Sequence, residues 1–142
     1  MNYSINKLTK FDYQQFKPIF LQLSNTKDFS YEKFLKLLNN LDKTDSVYYC
    51  IKLENTNKII GCVKFFYDYK LGNNKGFIDD IVIDKNYRNK KIGTYLVNYI
   101  LEHAKKKDCY VVYAITNLKN KEFYTKLNFK MDKIIANYNI ID

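Results

Sequence analysis

The feature that most constrains this chain is an apolar strand that runs through a basic turn into an amphipathic helix and then into a second apolar strand. GFIDDIVI (Gly76–Ile83) is followed by the turn YRNKKIGT, the helix IGTYLVNYILEHAKK and the run CYVVYAI (Cys109–Ile115). Ile92, Tyr95, Leu96, Tyr99 and Ile100 recur on one helical face. The second run is almost continuously apolar, as expected of a parallel strand buried on both faces. Strand, crossover helix and strand together predict a right-handed parallel β-α-β unit.

The remaining segments supply partners for that unit. Alternation predicts a first strand over Tyr3–Leu8, and strands over Ser46–Leu53 and Lys58–Tyr69 joined as a hairpin through ENTN. Residues 11–24 carry Phe16, Ile19, Phe20 and Leu23 at helical spacing, with Asp12 as N-cap and Pro18 bending or shortening the helix. Residues 30–41 place Phe34, Leu35, Leu37, Leu38 and Leu41 on one side, with Ser30 as N-cap. A short helix over 119–128 and one or two strands over 129–140 close the chain. The expected fold is α/β (α+β): a single domain over 1–142, with a mixed twisted sheet of about six or seven strands, a central parallel crossover and flanking helices.

Composition matters for what it excludes. The net charge is +9 over 142 residues, which favours anionic partners, but the lysines are scattered and no nucleic-acid-binding motif is present. Cys50, Cys62 and Cys109 each sit in an apolar run and form no CxxC pair, as expected of reduced, buried thiols. His103 is the only histidine, so a histidine-based metal site or a Ser-His triad is not expected. Its position near a helix C-terminus suits the helix dipole. The N-terminal residues contain no apolar signal region, and no segment is long enough to span a membrane; a cytoplasmic location is the expectation.

The basic turn can place backbone N–H groups at the start of the helix, where they lack intrahelical partners and the helix dipole is positive. A pyrophosphate suits such a site. Arg88, Lys90 and Lys91 add charge, and Gly93 permits close backbone approach. The turn is neither a Walker loop, GxxxxGK[ST], nor GxGxxG, since it has one glycine.

Arg88, Asn89, Lys90, Lys91, Ile92 and Gly93 fill the positions of [QR]-x-x-G-x-[GA], and this strand–turn–helix segment resembles the central motif of the GNAT superfamily of N-acetyltransferases. Lys91 stands where that motif has its first glycine. Within the superfamily, the chain is most similar to the glucosamine-6-phosphate N-acetyltransferase group. The match includes the acidic pair Asp79 and Asp80, the run Ile81, Val82 and Ile83, the pair Cys109 and Tyr110, and Asn120, Phe123, Tyr124 and Lys126. QLSNTKDFSYEKF fits the group's N-terminal pattern.

The resemblance implies direct attack of a sugar amine on the acetyl-CoA thioester, with acetyl-CoA as co-substrate and no metal. It implies acetyl-CoA binding by Ile81, Val82, Ile83, Arg88, Asn89, Lys90, Lys91, Ile92, Gly93, Thr94, Asn120, Phe123, Tyr124 and Lys126. Tyr124 would protonate the leaving thiolate, and Asp80 would act with Asp79 in positioning the amine. Adjacent strand residues are expected on opposite faces. Thr26, Lys27 and Lys75 would serve the amino-sugar phosphate, and the C-terminal strand would form a homodimer. Two departures stand out: the tail IIANYNIID has neither arginine nor lysine where the group has an arginine, and Ile115 replaces an acidic residue. The competing readings are the same fold acting on a polyamine, a protein amine or another small amine, and a non-catalytic acyl-CoA-binding module. A nucleic-acid binder would show strongly salt-dependent binding.

Overall fold

The computed structural model describes residues 2–24 and 26–141. Five strands form one sheet in the order β1 (Tyr3–Lys7), β2 (Ser46–Leu53), β3 (Lys58–Asp68), β4 (Asn74–Ile83) and β5 (Cys109–Ala114). All neighbours are antiparallel except β4 and β5, which pair in parallel through the crossover helix α3 (Ile92–Lys106). This is the predicted β-α-β unit.

Two apolar layers cover the sheet. On one face α3 buries Ile92, Leu96, Val97 and Ile100 against Ile51, Val63, Phe65 and Ile78. Each such side chain contributes roughly 1.5–3 kcal/mol through the apolar area it removes from water. On the other face α1 (Tyr13–Phe20) and α2 (Tyr31–Asp42) bury Phe16, Ile19 and Phe34 against Tyr48, Cys50, Cys62 and Val82. The Phe16 ring sits 5.8 Å from Tyr48 and 5.7 Å from Phe34.

The N-cap expected at Ser30 is present: its hydroxyl accepts the Lys33 N–H at 3.2 Å. The cap expected at Asp12 is displaced by one turn. Thr9 caps a single 3-10 turn, and Asp12 closes a capping box by accepting the Thr9 N–H at 2.8 Å. The other Asp12 oxygen pairs with Lys52 at 2.9 Å in a largely buried ion pair. The helix α1 spans eight residues rather than 11–24, with Pro18 in its last turn. The short helix α4 (Lys121–Lys126) is also trimmed.

The strands expected over 129–140 do not form. Residues 129–141 pair with no strand, and Ile134, Tyr138, Ile140 and Ile141 are each at least 86% exposed. The sheet therefore has five strands rather than six or seven, and β5 is a free edge. An edge strand leaves a row of backbone donors and acceptors unpaired.

Candidate active site

The parallel ladder between β4 and β5 stops early. It runs from Asn74 and Cys109 to Ile78 and Ala114, and the Ile115 N–H closes it on the Ile78 carbonyl at 3.0 Å. Beyond Ile78, β4 continues through Ile83 paired only with β3. Its residues Asp79, Asp80, Ile81, Val82 and Ile83 therefore flank a gap with no β5 partner.

At the far end of β4 the chain enters the basic turn. Asn89 and Lys91 both adopt left-handed backbone, with φ of 62° at each. This explains the glycine of the motif at the Lys91 position: the fold requires positive φ there, and a lysine accepts the strain. The first intrahelical bond of α3 is Tyr95 N–H to the Lys91 carbonyl, at 3.0 Å. The amides of Ile92, Gly93 and Thr94 thus precede the helical ladder and carry its positive dipole end. Lys90 and Lys91 are exposed beside them.

Arg88 is the chain's single arginine; its Nε donates to the Ile83 carbonyl at 2.9 Å and Nη2 reaches Gln22 at 3.4 Å, so the exposed guanidinium braces the turn. Gly93 also has a second reason. A Cβ there would meet the Phe123 ring at 3.2–3.3 Å, so the missing side chain admits α4 against the start of α3.

That contact places Tyr124. Its ring packs 5.0 Å from Phe123 and 5.2 Å from Phe129, and the residue is 1% exposed. The Tyr124 hydroxyl is the one buried side-chain polar atom without a hydrogen-bond partner among the described residues. Such an orphan is costly unless a ligand completes it. Burial and the nearby Asp79 charge push its pKa up to about 12, so the phenol is a proton donor at neutral pH. Asn120, expected beside it, does not cap α4; its amide donates to the Thr116 hydroxyl at 3.2 Å. Lys126 is engaged with Glu122 at 2.9 Å on the surface.

The acidic pair does not alternate across the sheet. Ile78, Ile81 and Ile83 all pack on the α3 side, and the odd step from Ile78 to Ile81 requires one extra residue. The register slips there: Cys62 opposes Val82 and Lys64 opposes Asp79. Asp80 sits in the bulge with φ of 51°. Both carboxylates consequently lie on the face of Tyr48 and Lys64. Tyr48 donates its hydroxyl to Asp80 Oδ2 at 2.7 Å, Asp79 Oδ1 accepts the Asp80 N–H at 2.8 Å, and the Lys64 ammonium lies 6.0 Å from the centre of the Tyr48 ring. Burial first, then the Asp80 charge, raise the Asp79 pKa, with Lys64 opposing them. A site of this kind favours a cation between the two carboxylates.

The residues expected at a sugar phosphate are more scattered. Lys75 is half-buried, its ammonium 5.7 Å from the Tyr113 ring centre. Lys75, Phe77, Tyr113, Thr116 and Tyr124 line a groove of about 1270 Å³, and Lys130 and Lys133 line it from the tail. Both lysines precede the IIANYNIID segment and belong to no motif of the sequence. Thr26 is half-buried and Lys27 exposed in the connection after α1. Neither bonds to the carboxylates among the described residues. Tyr48 belongs to no motif, and Gln22 opens the QLSNTKDFSYEKF match without its partners being visible there, because each reaches its partner across the fold. Among the described residues, no group of three or more His, Cys, Asp or Glu side chains is placed to hold a metal ion.

The model of the Acetyltransferase (GNAT) family matches residues 8–129. The chain is 31% identical over 114 residues to "Glucosamine 6-phosphate N-acetyltransferase 1" of Dictyostelium discoideum, covering 77% of this chain and 72% of that protein. It is 30% identical over 128 residues to the glucosamine 6-phosphate N-acetyltransferase of Candida albicans, covering 87% and 85%. The crystal structure of glucosamine-6-phosphate N-acetyltransferase from Arabidopsis thaliana superposes with a TM-score of 0.89 at 25% identity, over 99% of this chain and all of that one. With a split β4–β5 ladder, a phosphate-ready helix start and a family match over most of its length, this chain belongs to the GNAT acetyltransferase family.

Proposed function

We propose that this protein transfers the acetyl group of acetyl-CoA to the amine of glucosamine 6-phosphate, yielding N-acetylglucosamine 6-phosphate. The observation that carries this reading is the Tyr124 hydroxyl: buried, held protonated, without a partner among the described residues, and belonging to a residue that lines the groove along β5. The acceptor's identity rests on relatives named for that sugar phosphate.

The chain's own groups fit acetyl-CoA. The amides of Ile92, Gly93 and Thr94, with Lys90 and Lys91, suit a pyrophosphate. The unpaired β4 edge over Ile81, Val82 and Ile83 suits an extended amide-bearing arm that adds to it as a strand would. Acetyl-CoA supplies an activated thioester, so no metal or covalent enzyme intermediate is required. Asp79 and Asp80 orient the acceptor amine, which attacks the thioester carbonyl in its neutral form and gives up its proton as the amide forms, and the tie from Tyr48 keeps Asp80 oriented. Orientation of the two reactants is a large contribution that such a site makes. Tyr124 then donates its proton as the thiolate leaves. Lys75, with Lys130 and Lys133 from the tail, is the cationic set for the sugar phosphate. The lysines offer point charges where an arginine would offer a fork.

The protein acts as a homodimer through its tail. The exposed apolar side chains of residues 134–141 need cover, and the free edge of β5 needs a strand. The functional test is release of free CoA thiol on mixing acetyl-CoA with glucosamine 6-phosphate, with mass analysis of the sugar. The reading requires thiol release dependent on the sugar phosphate and a product heavier by one acetyl group. Tight acetyl-CoA binding without turnover of any amine would leave an acyl-CoA-binding module instead.

A further inference from the structure

Three aromatic rings stand on the sheet outside both of its cores. Phe66 of β3, Phe77 of β4 and Tyr113 of β5 form a row across neighbouring strands. Phe66 and Phe77 stack with ring centres 4.9 Å apart and planes 6° from parallel, and Phe77 lies 5.5 Å from Tyr113. All three are half-buried, and among the described residues none packs into either core. They share a face with Tyr48, since the Lys64 ammonium lies 5.6 Å from the Phe66 ring centre and 6.0 Å from that of Tyr48. The α1/α2 layer on that face rests instead on Tyr48, Cys50, Cys62 and Val82. Aromatic surface gathered in one place and left out of the core is a common lining of ligand sites.

The charges at the two ends of the row give the ligand its chemistry. Along β4, Lys75, Phe77 and Asp79 oppose Asp68, Phe66 and Lys64, so they share one face at two-residue spacing, about 6.6 Å per step. Lys75 forms no ion pair among the described residues; its ammonium lies 5.7 Å from the Tyr113 ring centre. Asp79 has none either, because Lys64, directly opposite, lies over the Phe66 ring. Asp79 is also close enough to Tyr124 for its charge to help raise the phenol's pKa, which puts the carboxylate end of the row beside the proton donor. Lys75, Phe77, Tyr113 and Tyr124 line the same groove. Cation, aromatic ring and carboxylate in that order complement a phosphate, a flat ring and an amine. In an amino sugar phosphate, the amine on carbon 2 and the phosphate beyond carbon 5 leave the pyranose ring on opposite sides. The C–H groups on the ring's faces pack well on aromatic carbon, whose π face is negative.

We propose that Phe77, buttressed by Phe66 and Tyr113, is the floor on which the pyranose ring of the acceptor lies, with its amine toward Asp79 and its phosphate toward Lys75. The proposal deepens the acetyltransferase reading given above and rests on it. It makes Phe77 a specificity-determining residue. A flexible polyamine has no ring to lay on the floor, and an unphosphorylated sugar leaves Lys75 without an anion.

The test uses the full chain, with glucosamine 6-phosphate varied at saturating acetyl-CoA. Glucose 6-phosphate, which has the ring and the phosphate but no amine, serves as inhibitor. Phe77→Leu keeps an apolar side chain and removes the aromatic ring. It is expected to raise the KM for glucosamine 6-phosphate and the KI of glucose 6-phosphate by the same factor, about 3- to 10-fold, with the KM for acetyl-CoA within about twofold of wild type. Phe77→Tyr restores the ring and is expected to keep both constants within about twofold of wild type. Tyr113→Leu, on the neighbouring strand, should shift both in the same direction as Phe77→Leu. Equal shifts in the Leu and Tyr variants of Phe77, or an equal weakening of acetyl-CoA, would mark a packing role and overturn the proposal. Glucose 6-phosphate that does not compete would overturn it as well. A Phe77→Leu protein with altered sedimentation mass but unchanged KM and KI would make the row a contact between copies of the chain instead. Wild type that acetylates glucosamine 6-phosphate with a KM indifferent to Phe77 defeats the floor alone. Wild type that leaves that sugar unacetylated defeats the functional reading and the floor with it.

Discussion

A phenol hydroxyl enclosed in a packed interior with no partner is costly to keep, and Tyr124 keeps one beside the gap in the sheet. Tyr124→Phe removes the proton donor and little else. It is expected to lower kcat by about 10²- to 10⁴-fold with a small change in acetyl-CoA affinity. Because burial and Asp79 hold the phenol up at about 12, activity in the wild type should rise with pH as the acceptor amine deprotonates. An alkaline fall from loss of the Tyr124 proton should not set in before the highest accessible pH. A fall near pH 8 in the pH–rate profile would assign the proton to another group. Lys91 makes a second prediction at this scale. Its left-handed backbone costs a non-glycine residue about 1–2 kcal/mol, against about 0.5–1 kcal/mol that glycine loses in chain entropy. Lys91→Gly should therefore raise stability by about 0.5–1 kcal/mol in denaturant titration.

At the scale of the elements, the bulge in β4 brings two carboxylates onto one face and raises the Asp79 pKa through burial and the Asp80 charge. A folded-state pKa above the unfolded value means that ionisation works against the fold. The stability this residue allows is greatest below its ordinary pKa and falls as pH rises through the raised one. Asp79→Asn should thus be more stable than wild type at pH 7 and nearly equal to it at pH 3. Denaturant midpoints at the two pH values check this. The same change should lower acceptor kcat/KM by about 10- to 100-fold, the loss expected for a charged hydrogen bond. Most of the elements were legible in the sequence. Apolar periodicity gave the crossover unit, the hairpin and the amphipathic helices, since each buries one face locally. The bulge was not legible, because it depends on the partner strand: DDIVI reads as regular alternation until Ile78 and Ile81 are found in the same core. Nor did the motif reveal that Arg88 reaches Gln22, because Gln22 lies on a different element, more than sixty residues away. The tail pattern is strand-like, but among the described residues no strand pairs with it, and pattern alone carries no information about a partner.

For the whole molecule, the tail and the free β5 edge make the same demand. Ile134 is 95% exposed and Tyr138 88%, a load of apolar surface that a soluble chain seldom leaves uncovered. Sedimentation equilibrium should report twice the 17.1 kDa chain mass, and deletion of residues 130–142 should shift the protein to monomer with loss of sugar-phosphate turnover. A wild-type monomer with full activity would refute the dimer. Tyr124, the Asp79–Asp80 pair and a set of lysines along the β5 groove are proposed to select a phosphorylated amino sugar for acetylation together. The most direct test is a single competition: acetyl-CoA with equal concentrations of glucosamine 6-phosphate, glucosamine and spermidine, and acetylated products quantified by mass. N-acetylglucosamine 6-phosphate is expected to dominate the early products. Preferential acetylation of spermidine, or of unphosphorylated glucosamine, would contradict it.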